Sequence, residues 1–198
     1  MTQAQIHLSQ NDEFLAKIIA QIPVPETKST GNVFHDLLSC IIEQQIHYRS
    51  SRKRFQKLLE KAKIEELTLD QFEEFEQKAL SEVKLSAQKF NTIAAILEHF
   101  EQQNFDWQTM SDEEVRASLS QIKGVGTWTI DMILLYTLER PNIFPVDDYY
   151  LKKIMLQNYP IDASARIKSQ MKAIAKKWSP YRSTAVKHLL AWKDFPTA

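Results

Sequence analysis

Cysteine is nearly absent. Cys40 stands alone in 198 residues, which excludes an intramolecular disulfide, a cysteine-ligated iron–sulfur cluster and a cysteine-rich zinc site, and fits a reducing, cytoplasmic compartment. No apolar run approaches the roughly 18 residues that would suggest a membrane span. The N-terminal stretch MTQAQIHLSQNDEFLAK lacks the basic-then-apolar layout of a secretory signal. Net charge is missing too: 25 basic and 25 acidic side chains cancel, which argues against a uniformly basic nucleic-acid binder. There is no internal repeat, no low-complexity tract and no strand signal that outcompetes helical periodicity. Glycine is the last shortage, with three in the whole chain.

What is present reads as helix almost throughout, and the fold class expected is all-α. Apolar residues at three-and-four spacing run through NDEFLAKIIAQI, VFHDLLSCIIEQQIHYRSSRKRFQKLLEKA, TLDQFEEFEQKAL, LSAQKFNTIAAILEHF and SDEEVRASLSQI. They continue through TWTIDMILLYTLER, DDYYLKKIMLQN, DASARIKSQMKAIAKKW and SPYRSTAVKHLLAWKDF. Ser111 is a good cap for SDEE, whose acids suit the positive end of a helix dipole. TWTIDMILLYTLER is apolar nearly all round and is expected at the centre of the core. The loops are Ile22–Asn32, with two prolines and a glycine, and PNIFPVDD. Charge is unevenly spread: residues 56–120 hold 14 acids and 7 bases, residues 121–198 hold 6 acids and 12 bases. One part of the chain is thus prepared for an anion, although solvated helix faces also account for such runs.

Two of the three glycines, Gly124 and Gly126, flank one apolar residue in QIKGVGTWTID. Glycine loses more backbone entropy on folding than any other residue, so this double use implies an unusual backbone path. A tight helix–turn–helix with Val125 buried would turn backbone N–H groups outward at a helix N-terminus, with Lys123 beside them. That is an anion site suited to duplex phosphates. A plain helix connection with a glycine C-cap is the simpler alternative.

The whole string L-x-x-I-K-G-V-G-x-W-T resembles the hairpin of the helix-hairpin-helix (HhH-GPD) DNA glycosylase superfamily. FPVDDYYLKKI matches where that superfamily places an essential aspartate. LLSCIIEQQI resembles its glutamine-containing helix before the DNA wedge, and WSPYRSTAVKHLLAW the C-terminal helix of the 3-methyladenine DNA glycosylase II branch. The anchors span residues 33–192. The resemblance implies two helical domains with a cleft between them: 33–125, and a discontinuous one made of 1–32 plus 126–198. It also implies a minimal form without the N-terminal β-rich domain of larger members.

The resemblance further implies a catalytic carboxylate at Asp148, preferred over Asp147, with Asp147 as helix cap or as a support beside Arg182. Breaking an N-glycosidic bond builds positive charge on the sugar, which a fixed carboxylate stabilises while orienting a water. Trp128, Tyr149, Met132, Asp147 and Leu190 are the base-pocket candidates. Lys123, Gly124, Val125, Gly126, Thr127, Thr129 and Arg182 are candidates for holding DNA. Gln44 or Gln45, with Gln45 preferred, would fill the gap left by a flipped base. Trp128 stands where strand-cleaving members carry a Schiff-base lysine, so a monofunctional hydrolase acting on 3-methyladenine or 7-methylguanine is expected. No cofactor is required. A monovalent cation, Na+ or K+, on the carbonyls of Ser120, Ile122 and Val125 suits the hairpin. The partner is damaged double-stranded DNA, the enzyme a monomer away from membranes. Alternatives are a non-catalytic damage sensor and a glycosylase with lyase activity.

Overall fold

A computed structural model describes residues 1–23, 29–43, 52–102 and 105–192. Every regular element among them is helical: α1 (Gln3–Asn11), α2 (Glu13–Gln21), α3 (Val33–Glu43), α4 (Arg52–Ala62), α5 (Phe72–Lys78), α6 (Ala87–Gln102), α7 (Asp112–Leu119), α8 (Thr127–Met132), α9 (Tyr149–Asn158), α10 (Ile167–Ala175) and α11 (Arg182–Trp192). A π-helical stretch, Ile133–Thr137, continues α8, and a 3-10 turn, Lys176–Trp178, continues α10. No helix among the described residues is long and apolar enough to cross a membrane.

The all-α expectation holds, with local differences. The N-terminal segment contains a helix the apolar period did not announce, α1, started by a capping box. Thr2 accepts the Gln5 N–H and the Gln5 side chain accepts the Thr2 N–H. The pattern over 33–62 contains two helices, α3 and α4. Ser111 caps α7 as expected, in a reciprocal box with Glu114, whose carboxyl the Ser111 hydrogen bonds hold below the usual range.

The chain divides into two compact units, Ser29–Ile133 and a composite of Met1–Lys28 with Leu134–Ala198. The later boundary thus falls inside the helical run after the hairpin rather than at its glycines.

Unit 29–133 is built on α3, buried along its whole length, packed against α4 and α6. Its core is aromatic: Phe34 meets Phe72 and Phe100 edge-on, and Phe55 meets His35 and Phe75. Edge-on ring pairs contribute about 0.5–1.5 kcal/mol each beyond their burial. His35 Nδ1 accepts the Leu67 N–H at 2.9 Å, satisfying a buried backbone donor.

The composite unit is organised around one buried carboxylate. Asp12 caps α2 through Oδ1, which accepts the N–H groups of Phe14 and Leu15 at 3.0 Å. The same oxygen accepts the Tyr159 hydroxyl at 3.3 Å, while Oδ2 accepts Trp178 Nε1 at 2.8 Å and pairs with Lys177 at 3.3 Å. Burial, with the Asp12 charge beside it, pushes the Tyr159 hydroxyl well above its ordinary range. His188 of α11 is fully buried, facing Gln5 at 3.5 Å, and its Nδ1 has no partner among the described residues. Burial lowers it to about 4.

Candidate active site and nucleic-acid interface

The hairpin forms as the glycine pattern required, but its two glycines do different work. Gly124 sits at φ +95°, and a Cβ there would come within 2.0 Å of Thr92 Oγ1 on α6. Both the backbone and the packing therefore demand glycine. Gly126 has an ordinary extended conformation as the N-cap of α8, and a Cβ there would meet nothing within 4 Å. The unusual backbone path that the pair implies is present, and it lies at Gly124 alone. Val125 is buried, and its N–H closes the turn on the Ile122 carbonyl at 3.1 Å.

The first intrahelical bond of α8 runs from Ile130 N–H to the Gly126 carbonyl at 3.1 Å. The amides ahead of it belong to a first turn that lacks acceptors within the helix. Lys123, Gly124, Gly126 and Thr127 lie on the surface around that turn. Thr129 does not: its side chain is buried, which removes it as a side-chain contact for DNA. Arg116 of α7 pairs with buried Asp131 of α8 at 2.6 Å, clamping the helices on either side of the turn. Trp128 is half-buried in the first turn of α8, and Met132, four residues on, is enclosed.

In the composite unit, the adjacent carboxylates separate cleanly. Asp148 is buried and is itself the N-cap of α9, accepting the Leu151 N–H on Oδ1 at 2.8 Å. Capping expected of Asp147 therefore falls on Asp148. The cause is local geometry: Asp148 has the extended backbone an N-cap requires (φ −70°, ψ 125°). Asp147 is exposed and pairs with Lys168 of α10. Arg182 is not its partner; Arg182 Nε donates to the Ala175 carbonyl at 3.2 Å. Tyr149, next to the capping carboxylate, is 67% exposed and meets Tyr150 edge-on. Leu190 is half-buried on α11.

Gln44 and Gln45 lie outside the described residues. Just before them, buried Glu43 accepts the Phe55 N–H at 2.6 Å, joining the end of α3 to the first turn of α4. Lys89 donates to the Ile42 carbonyl at 3.0 Å, and its pKa is lowered by burial and then by Arg54 nearby. An open groove in unit 29–133, lined by Asn32, Phe34, Glu66, Phe100 and Trp107, includes none of the candidates.

Comparison with known proteins gives this arrangement relatives. No protein-family model matches the chain. DNA-3-methyladenine glycosylase 1 of Schizosaccharomyces pombe is 25% identical over 162 residues, covering 77% of this chain and 70% of the relative. The chain is similar in sequence to proteins named DNA-3-methyladenine glycosylases. A second member, the putative DNA-3-methyladenine glycosylase YfjP of Bacillus subtilis, is 35% identical over 85 residues, 43% of this chain and 29% of the relative. The chain thus spans less than a third of that protein's length in the match. The S. pombe 3-methyladenine DNA glycosylase structure in complex with abasic DNA superposes with a TM-score of 0.73 at 22% identity, covering all of both chains. At that identity the superposition establishes the fold alone. Two residues that the motif reading did not single out, Lys168 and Arg116, hold positions beside the candidates. For Arg116 the available signal was an arginine and an aspartate bracketing the turn.

Proposed function

We propose that this protein is a monofunctional DNA glycosylase that flips alkylated purines, 3-methyladenine and 7-methylguanine, out of duplex DNA and hydrolyses their N-glycosidic bond. The observation that carries the reading is Asp148: a buried carboxylate locked by Leu151 N–H at the start of α9, in a chain similar in sequence to enzymes named for this activity. Fixing one oxygen on a helix-start amide sets the orientation of the whole group. Such a preset carboxylate stabilises the positive charge developing on the deoxyribose and orients the attacking water, with no reorganisation at the moment of reaction. An alkylated purine is already cationic and leaves without protonation, so a second acid is not needed.

Trp128, as a tryptophan where a lyase would carry lysine, supports hydrolysis without strand cleavage, and its ring suits a cationic base. Exposed Tyr149 offers a second aromatic face. The hairpin surface from Lys123 to Thr127 would take a backbone phosphate. Gly126 adds support here, because nothing in its own surroundings excludes a side chain, whereas a phosphate on the turn would. A monovalent cation on the Ser120, Ile122 and Val125 carbonyls fits the same turn. The Ile122 carbonyl accepts one N–H in the turn and keeps a second lone pair for an ion.

Release of free bases from methylated duplex DNA, wild type against Asp148→Asn, tests the reading. The substitution is expected to lower release of 3-methyladenine at least about a hundredfold, with abasic sites and no strand breaks in the wild-type product. A wild type that binds abasic-analogue duplex and releases no base would make this a damage-binding protein.

A further inference from the structure

Lys168, Lys172 and Lys176 are all exposed and recur every four residues along α10 and the 3-10 turn that continues it. Four-residue spacing puts them in one row about 12 Å long. The row is set against the helix's own stability in two ways. Like charges four apart repel, and Lys168 lies in the first turn, where the helix dipole already presents positive charge. No acid between Ile167 and Trp178 compensates. The relief comes from outside the helix: Lys168 pairs with Asp147, the residue next to the capping carboxylate. An ordinary solvated helix would intersperse acids, as α5 and α7 do. This one keeps a row of three cations whose head adjoins the candidate catalytic residue.

We infer that the α10 row is a phosphate track that holds one strand of the duplex leading to Asp148. The inference rests on the glycosylase reading above and extends it to a surface outside the hairpin. Over about 12 Å of duplex axis one strand of B-DNA carries three to four phosphates, enough to occupy the three lysines of the row. Lys168 has three donors, and pairing with Asp147 leaves donors for a phosphate oxygen. The surface also resolves the puzzle of a neutral DNA-binding chain. The composite unit holds 13 bases and 8 acids and unit 29–133 holds 12 bases and 17 acids, so the cancelling of charge hides a unit with an excess of five positive charges.

The test is the salt dependence of binding to a duplex carrying a tetrahydrofuran abasic analogue. The triple variant K168Q/K172Q/K176Q is compared with K17Q/K57Q/K84Q, which removes the same charge from exposed lysines elsewhere. Each phosphate contact contributes about 0.9 to the slope of log affinity against log salt. The α10 variant is expected to flatten the slope by about 2 to 3, while the matched variant keeps it within about 1 of wild type. Equal slopes in the two variants would overturn the track and leave the glycosylase reading to stand on base release by the wild type. A wild type without salt-dependent binding to the duplex would overturn both.

Discussion

The two units differ in what lies at their centres. Unit 29–133 is one continuous segment whose interior is aromatic, and its described acids and bases sit mainly on the surface. The composite unit is stitched from both ends of the chain, and beside aromatic contacts such as Phe14 on Tyr159 the stitch has a polar centre: Asp12 reaches Tyr159, Lys177 and Trp178. Ring packing is forgiving, since each contact is small and neighbours can adjust. A carboxylate with five partners is unforgiving, since removing it strands several donors at once.

That contrast can be broken most directly at Asp12. Asp12→Ala removes a cap and leaves the Trp178 indole N–H and the Lys177 ammonium without their acceptor, and should cost about 3–5 kcal/mol. Urea denaturation measures it; a loss below about 1 kcal/mol would mean the carboxylate is incidental to the unit. His188 gives the next largest effect. Its pKa is about 4 in the fold against roughly 6.5 in an unfolded chain, so the unfolded state binds the extra proton between those values. Stability is therefore complete above about pH 6.5 and falls as pH drops towards 4, by on the order of 3 kcal/mol. His188→Gln should lack that slope in denaturation curves taken from pH 7 to pH 4.

In unit 29–133 the sharpest prediction concerns the unequal glycines. Gly124→Ala should destabilise by about 2–3 kcal/mol, with partial recovery when Thr92→Ala removes the colliding hydroxyl. Gly126→Ala should change stability by less than about 1 kcal/mol and yet weaken binding to abasic-analogue duplex. Equal stability losses at the two positions would erase the distinction between a glycine required by the fold and one left open to a ligand.

Elements with short-range signals were legible in the sequence. Ser111 with Glu114 announced α7, the glycine pair announced the hairpin, and apolar period announced α2 and α6. The start of α1 was equally local, in Thr2 and Gln5, but its polar composition hid it from a search for apolar spacing. The π-helical stretch ILLYT could not be read, because a segment buried all round has no polar face to report its period. Nor could the Asp12 network, whose partners lie 147 and 166 residues away. At the candidate site, the pair Asp147–Asp148 was visible as a pair. The spacing of the resemblance preferred Asp148 as the catalytic carboxylate, but which of the two caps α9 depends on a backbone torsion that two identical residues do not report.

The stitch from both ends has a consequence during synthesis. A chain leaving the ribosome presents all of 29–133 before α9, α10 or α11 exists. Helices α1 and α2, with Leu8, Leu15 and Ile18 destined for full burial, emerge before 29–133 and meet α11 only after it. At about 5–20 residues per second, Asp12 waits roughly 7 to 30 seconds for Tyr159. A segment made before the whole of 29–133 is therefore sheltered only after it, and nascent-chain chaperones would meet it exposed.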